Sequence, residues 1–301
     1  MPSRRHELLA YAVPRLRRSR DLDTVEKERA RLEKWHAVME RGFPTNAVRR
    51  FDKRYRVVQE DLPGGFPSYI LTERGGTPDR TVVYVHGGGF VGSIDPYQVR
   101  YGARLASALN AQVLMPDYPL TPEHTWRDSH EDVVRVIQRA TETSERVVVV
   151  GDSAGGNIAL AAALTVRDRG GPQPSHLLLH APWVDLTTST PETDVVTQWD
   201  PWLFIGKVHA YAEWWAGSPD DLARPEVSPA LADLAGLPRA LMFCGTRDTL
   251  NPGCRLLARR AAAAGWDLTY VEQPGLLHVY PILPFIPEAR QAWRTTVEFL
   301  Q

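Results

Sequence analysis

The sequence predicts an α/β protein with a mostly parallel, doubly wound sheet and an additional helical part. Short apolar runs alternate with helix-like stretches over most of the chain, and the runs are continuously apolar, as in strands that are buried on both faces. The chain has 301 residues, of which 43% are hydrophobic and 24% are charged. These values are typical of a globular protein with one large core and an appendage.

Eight segments are predicted as strands because they are short, rich in β-branched and aromatic residues, and bounded by Pro and Gly. They cover residues 55–59, 69–72, 81–85, 112–115, 147–150, 176–179, 240–243 and 268–271. Helices are predicted between most of them, near residues 97–109, 127–142, 154–168 and 252–264.

Two regions depart from this alternation. Residues 4–48 are predicted to form two helices, with Pro14 and the polar stretch after it as the break between them. In the second helix an apolar stripe at helical spacing is predicted to be buried, while the charged residues between its members stay exposed; the stripe consists of Val25, Leu32, Trp35 and Met39. Residues 185–237 contain no clear buried strand but four of the nine tryptophans, which suit either the lining of a cap or an ordinary core.

Charge and cysteine content exclude several classes of function. A net charge of −1 provides no global field for a nucleic acid or an anionic membrane. Cys244 and Cys254 are the only cysteines, which excludes a multi-disulfide scaffold and a four-cysteine zinc site and favours a reducing, cytoplasmic location. The longest apolar run, residues 158–164, is far shorter than the ~20 residues of a membrane span, and no signal peptide is recognised.

The N-terminal segment is locally basic. Residues 1–60 contain 16 Lys and Arg against 9 Asp and Glu, with a dense run at residues 15–20. We interpret this run as the solvated face of helices because Glu26, Glu28 and Glu33 follow it closely. Contact with an anionic lipid surface stays open as the alternative.

The sequence VVVVGDSAGGN at residues 147–157 places a serine between a predicted strand and a predicted helix. In the pattern G-x-S-x-G the serine lies on a sharp, strained turn, and Gly151 and Gly155 are needed because side chains there would collide. The turn exposes the hydroxyl at the positive end of a helix. Ser153 is therefore the predicted nucleophile.

A glycine-rich loop, His86-Gly87-Gly88-Gly89-Phe90, follows the predicted strand at residues 81–85. Consecutive glycines leave their backbone N–H groups unshielded, so these groups can converge on an oxyanion together with the N–H of Ala154, which follows the nucleophile. A nucleotide-binding loop is a poor alternative because neither G-K-[ST] nor G-x-G-x-x-G follows.

The acid and the base of a serine hydrolase follow the nucleophile in the order Ser, Asp or Glu, His. His278 is the predicted base because it lies on a loop after a predicted strand. Asp248 is the predicted acid because it lies just past the strand at residues 240–243, and active-site groups gather at the carboxyl ends of strands. Its role would be to fix the tautomer of His278 and to stabilise the imidazolium.

These motifs together resemble the hormone-sensitive-lipase-like branch of α/β hydrolases, which includes the bacterial carboxylesterases of family IV. The resemblance covers about residues 79–300 and also rests on Ser228-Pro229 and on the segment DYPLTPEH at residues 117–124, which is similar to the family's D-Y-R-L-A-P-E-H. Pro119 and Thr121 depart from the family's Arg and Ala.

The resemblance implies an α/β-hydrolase fold with a helical cap. The implied core is residues 54–184 and 238–301, and the implied cap is residues 1–53 together with residues 185–237. It further implies an oxyanion hole formed by the N–H groups of Gly88, Gly89 and Ala154. The supporting residues are His86, Gly87 and Asp152, with Asp117 and Glu123 as structural support for the oxyanion loop.

The predicted function is hydrolysis of short- to medium-chain carboxylic esters through an acyl-enzyme. Two alternatives stay open: an amidase or deacetylase with the same triad, and a non-catalytic small-molecule receptor, against which His278 argues. The predicted partner is a small-molecule ester, with no nucleic acid, membrane span, cofactor or metal. A homodimer is also an open prediction, because the strand at residues 268–271 is a candidate sheet edge.

Overall fold

A computed structural model describes residues 1–16 and 20–301, so part of the basic run at residues 15–20 lies outside the described residues. Each predicted strand lies within one of the strands of a single eight-stranded sheet. The strands are β1 (Tyr55–Asp61), β2 (Pro67–Glu73), β3 (Arg80–Val85), β4 (Ala111–Pro116), β5 (Val147–Asp152), β6 (His176–His180), β7 (Ala240–Gly245) and β8 (Leu268–Gln273).

The sheet order is β1-β2-β4-β3-β5-β6-β7-β8. Strands β1 and β2 pair antiparallel, as do β2 and β4, whereas every pair from β4 to β8 is parallel. The carboxyl ends of β3, β5 and β7 therefore meet at one edge of the sheet, where the loops that follow them come together. Strand β8 lies at the end of the sheet, as expected from the sequence.

Ten α-helices are found in the described residues, and α6 is buried along most of its length. Its first half is small and apolar, so this helix packs tightly against the sheet with residues 154–164 all buried. The C-terminal helix was not predicted. The helices are α1 (Arg4–Leu16), α2 (Val25–His36), α3 (Phe51–Arg54), α4 (Pro96–Leu109), α5 (His130–Thr143), α6 (Ala154–Asp168), α7 (Glu192–Val196), α8 (Ile205–Ala216), α9 (Asn251–Ala263) and α10 (Pro287–Leu300).

The N-terminal helices correct two predictions. The predicted break is confirmed only in part: Pro14 itself lies in the last turn of α1, which ends at Leu16, and α2 begins at Val25, after the polar stretch. The predicted stripe of α2 is wrong except at Leu32: Val25 and Trp35 are each 40% exposed, and residue 39 lies beyond the end of the helix. Glu28 is buried instead, because three polar partners satisfy it; they are Arg31, Lys207 and Tyr211.

Residues 185–237 contain α7, α8 and short 3-10 helices, and no strand is assigned there. Their tryptophans lie in different environments. Trp215 is buried and stacked on Phe90 at a centroid distance of 4.4 Å, whereas Trp199 is exposed. Within the described part of the chain, no helix is long and apolar enough to cross a membrane. The same residues include no group of three or more His, Cys, Asp or Glu arranged to hold a metal ion.

Candidate active site

Ser153 occupies the turn between β5 and α6 in a strained conformation. Its φ of 53° and ψ of −123° lie outside the regions that a non-glycine residue ordinarily adopts. The turn is held by the Ser153 N–H, which donates to the carbonyl of His180 at 2.9 Å. A Cβ atom on Gly151 would meet the carbonyl of Gly155, and one on Gly155 would meet the carbonyl of His86, so both glycines are needed.

The structure brings the three predicted triad residues together. His278 Nε2 lies 2.9 Å from Ser153 Oγ, and His278 Nδ1 lies 2.9 Å from Asp248 Oδ2. The relative exposures of Asp248, His278 and Ser153 are 0%, 4% and 7%. The order hydroxyl, imidazole, carboxylate is the one in which a ring can take a proton from the hydroxyl while the carboxylate fixes its tautomer.

The surroundings of His278 favour its protonated form. Burial alone lowers the pKa of the imidazole, but the nearby carboxylates outweigh burial, with Asp248 first and then Asp200 and Asp152, so the pKa is raised. The second oxygen of Asp248 accepts the N–H of Leu250 at 2.9 Å, which fixes the plane of the carboxylate. The imidazole is thereby a stronger base towards the serine hydroxyl.

The glycine-rich loop after β3 has the backbone conformation that its sequence predicts. Gly88 and Gly89 have φ values of 126° and 64°, which L side chains rarely adopt. A Cβ atom on Gly88 would also lie 2.7 Å from the carbonyl oxygen of Gly92. Among the described residues, the N–H groups of Gly88, Gly89 and Ala154 make no protein hydrogen bond, and these are the donors predicted for the oxyanion hole.

Asp152 ties this loop to the nucleophile turn. Its Oδ1 accepts the N–H of Gly87 at 3.1 Å, so that N–H is not available to a substrate. Gln98, in the first turn of α4, donates to Asp152 Oδ2 at 3.0 Å. Burial raises the pKa of Asp152 to about 6, against the opposing effect of the Gln98 hydrogen bond. Gln98 was not predicted from the sequence.

Asp117 lies beside His86 at the start of the same loop and is held by the guanidinium group of Arg41. Arg41 donates to Asp117 Oδ1 and to the carbonyls of Asp117 and Tyr118 at 2.7–2.8 Å, and Ser93 Oγ donates to Oδ1 at 3.1 Å. His86 stacks on Tyr118 at 4.3 Å, with its Nε2 3.5 Å from Asp117 Oδ1. Burial raises the pKa of Asp117, but His86 and Arg41 together outweigh burial and lower it.

Glu123 reaches the oxyanion loop only through another side chain. Its Oε2 lies 2.8 Å from Nδ1 of His36, at the end of α2, and Nε2 of the same ring lies 2.8 Å from the carbonyl oxygen of Val91. Tyr211 of α8 packs beside Gly89, where an added Cβ would lie 3.3 Å from the ring. The N-terminal segment and α8 thus both contact the loop.

Comparison with known proteins identifies the fold and the family. A family model described as the alpha/beta hydrolase fold matches residues 82–282. The crystal structure of an esterase from the bacterial hormone-sensitive lipase family superposes with a TM-score of 0.81 and 28% identity, over 100% of this chain and 98% of that one. This chain belongs to the hormone-sensitive-lipase-like family of α/β hydrolases.

Curated relatives of this α/β hydrolase are named as hydrolases of the same kind. An acetyl-hydrolase of Streptomyces hygroscopicus is 31% identical over 226 residues, which cover 74% of this chain and 75% of that protein. An esterase of Acinetobacter venetianus is 28% identical over 223 residues, which cover 72% of this chain and 73% of that protein.

Two residues of this α/β hydrolase that were not predicted as site residues contact the triad loops. His6 of α1 is fully buried, and its Nε2 accepts the N–H of Leu277 at 3.1 Å, next to His278. Asp200 Oδ2 accepts the N–H of Thr249 at 2.7 Å, next to Asp248. Neither lies in a recognisable motif.

Proposed function

We propose that this α/β hydrolase is a serine carboxylesterase that cleaves short- to medium-chain carboxylic esters through an acyl-enzyme on Ser153. The broader class, hydrolysis of carboxylic esters, is supported by the family and by the names of the relatives. The observation that carries the finer proposal is the chain of contacts from Ser153 Oγ through His278 to Asp248, at 2.9 Å for each link.

In the acylation step, His278 Nε2 takes the proton of Ser153 as Oγ attacks the ester carbonyl carbon. The carbonyl oxygen becomes an oxyanion and accepts hydrogen bonds from the N–H groups of Gly88, Gly89 and Ala154. The imidazolium, stabilised by Asp248, then donates its proton to the leaving alcohol. The C–O bond to the alcohol breaks, and the acyl group stays on Ser153.

In the deacylation step, water replaces the alcohol. His278 takes a proton from the water as it attacks the acyl carbon, and the same N–H groups hold the second oxyanion. The imidazolium returns the proton to Ser153 Oγ, and the carboxylic acid leaves. In each of the two steps, His278 therefore first accepts a proton and then donates it.

We also propose that residues 1–53 and 185–237 form the cap over this site. Support comes from Trp202, whose ring centroid is 5.7 Å from that of His278, and from Tyr211 beside Gly89. Since one ring lies beside His278 and the other beside Gly89, we expect limited room for the acyl group, which favours acyl groups of short or medium length.

The experiment is a series of p-nitrophenyl esters from acetate to laurate, with Ser153→Ala and the remote control Ser144→Ala. We expect turnover to be highest on the shorter chains and to fall by about 10⁴-fold or more in Ser153→Ala, with no change in Ser144→Ala. A matched acetyl anilide separates ester from amide hydrolysis. Retention of more than about a tenth of the turnover in Ser153→Ala would contradict the proposal.

A further inference from the structure

We propose that Asp200 is a positioning residue for the catalytic acid and base: its carboxylate fastens the segment at residues 199–203 to the loop that carries Asp248 and sets Trp202 against His278. The inference rests on the proposed function of the triad and assigns a further residue to it.

The Asp200 carboxylate joins two separate stretches of chain. Its Oδ2 accepts the N–H of Thr249 at 2.7 Å, and its Oδ1 accepts the N–H groups of Trp202 and Leu203 at 2.7 and 3.1 Å. Thr249 follows Asp248 directly, so the first of these hydrogen bonds fixes the peptide unit next to the catalytic acid. Because the two oxygens serve the two stretches, the connection needs a side chain with two acceptor atoms.

A second hydrogen bond holds the same two stretches together on the other side of Asp248. Arg247 Nε donates to the carbonyl oxygen of Trp199 at 2.9 Å. Both chain neighbours of the acid are therefore fastened to the segment at residues 199–203. A shift of this segment would move the carboxylate that orients the imidazole.

The turn that Asp200 stabilises also places an aromatic ring on the catalytic base. The rings of Trp202 and His278 are perpendicular, with an interplanar angle of 88° and a centroid distance of 5.7 Å. An edge-to-face contact of this kind restricts rotation of the imidazole. Since Asp200 accepts the backbone N–H of Trp202, it helps to define where this ring lies.

The charge of Asp200 has an effect of its own. The side chain is buried, and no ion pair with it is found among the described residues. Burial raises the pKa of Asp200 to about 6, the charge of Asp248 adds to this, and the N–H groups of Thr249 and Trp202 oppose it. A buried carboxylate without a cation is costly to maintain. Its negative charge in turn favours the imidazolium of His278.

The test compares Asp200→Asn with Asp194→Asn, an exposed carboxylate of the same region. Asparagine keeps the shape but has one acceptor atom, so one of the two stretches is released. We expect kcat per active site to fall about 10- to 100-fold in Asp200→Asn with KM within about twofold, because small misplacements of catalytic groups cost this much. Asp194→Asn should match the wild type. Active sites are counted by titration with a serine-directed phosphonate.

The pH profile separates positioning from general damage to the fold. The carboxylates that act on His278 are Asp248, Asp200 and Asp152, and loss of one negative charge lowers the pKa of the imidazole. In Asp200→Asn the acid limb of kcat/KM should therefore move to lower pH. A purely structural defect would reduce the number of titrated sites but leave kcat per site and the acid limb unchanged. That result would overturn the inference.

If Asp200→Asn does not fold, the inference is tested with Trp202→Ala instead. This variant keeps the carboxylate and the backbone N–H of residue 202 but removes the ring on His278. We expect a lower kcat per titrated site, and an unchanged kcat would overturn the inference. The proposed function is tested separately, because an inactive Ser153→Ala beside an unaffected Asp200→Asn would refute the role of Asp200 alone.

Discussion

His278 with Asp248 and His86 with Asp117 are two buried pairs of the same residue types, both at the carboxyl edge of the sheet. In the first pair each ring nitrogen has a partner at 2.9 Å, a carboxylate on one side and the hydroxyl of Ser153 on the other. In the second pair Nε2 of His86 lies 3.5 Å from Asp117, and Nδ1 lies 2.8 Å from the carbonyl oxygen of Gly87.

The third partner of each pair accounts for the difference. Arg41 binds Asp117, so this carboxylate is already neutralised and holds the chain beneath the oxyanion loop. No Lys or Arg pairs with Asp248 among the described residues, and its charge is directed at the imidazole of His278. A buried His-Asp pair therefore suits base catalysis only where the carboxylate lacks a cation and the ring faces a nucleophile.

The largest expected effect comes from breaking the first pair. Asp248→Asn keeps the shape of the side chain but presents an amide to Nδ1 of His278 and favours the wrong tautomer. We expect kcat to fall about 10⁴-fold with little change in KM, as for a triad acid elsewhere. Steady-state kinetics at the pH optimum measure this, and a loss of less than about tenfold would show that His278 does not depend on Asp248.

Breaking the second pair should reduce kcat less than breaking the first pair, and it should also reduce the stability of the fold. Asp117→Asn leaves Arg41 without its buried partner and loosens the oxyanion loop, so we expect kcat to fall about 10- to 100-fold. The free energy of unfolding should fall by about 2 kcal/mol, less than for a fully buried ion pair, because Arg41 is 34% exposed. Urea denaturation checks the stability, and the double variant with Arg41→Met should recover part of the loss.

Of the two His-Asp pairs, only the first should affect the pH dependence of activity. The pKa of His278 is raised by its carboxylates, and the base must be neutral to act, so activity is lost as pH falls through a pKa above about 6.5. In Asp248→Asn the acid limb of kcat/KM should move to lower pH, whereas Glu123→Gln, which affects only His36, should leave it in place. An acid limb of kcat/KM with its midpoint below about pH 6 in the wild type would contradict this prediction.

The smallest effect on activity is expected from Glu123, which contacts the oxyanion loop only through His36. Glu123→Gln weakens the contact with His36, which in turn holds the carbonyl of Val91. The pair is partly exposed, and such contacts contribute about 1 kcal/mol or less. We expect kcat/KM to fall by no more than about threefold in a short-chain ester assay. If the loss of activity in Glu123→Gln were as large as in Asp117→Asn, Glu123 would be as important to the loop as Asp117, which would contradict this prediction.

The first pair could be predicted from the sequence because its parts lie in local patterns. The strand before Ser153, the glycines around it and the order Ser, Asp, His are all visible along the chain. All eight strands were also predicted from local sequence, and the buried parallel strands, such as β3 and β5, are continuous apolar runs. The antiparallel pairing of β1 and β2 has no such signal.

The supports of the site could not be predicted, because they depend on contacts between distant parts of the chain. Arg41 reaches Asp117 across 76 residues, and His6 reaches the N–H of Leu277 across 271 residues. The same reason explains the errors in α2, where Glu28 is buried through partners on α8 that periodicity does not reveal. The division into core and cap, the homodimer and the cytoplasmic location stay predictions.

The most direct test of the central claim compares how fast a serine-directed phosphonate modifies His278→Gln and His86→Gln. Peptide mass spectrometry identifies the modified residue, and the second-order rate constant measures activation of the hydroxyl. We predict modification at Ser153 in the wild type, a rate at least about 10³-fold lower in His278→Gln, and a rate within about tenfold of the wild type in His86→Gln. Equal rates in the two variants, or modification at another residue, would contradict the account.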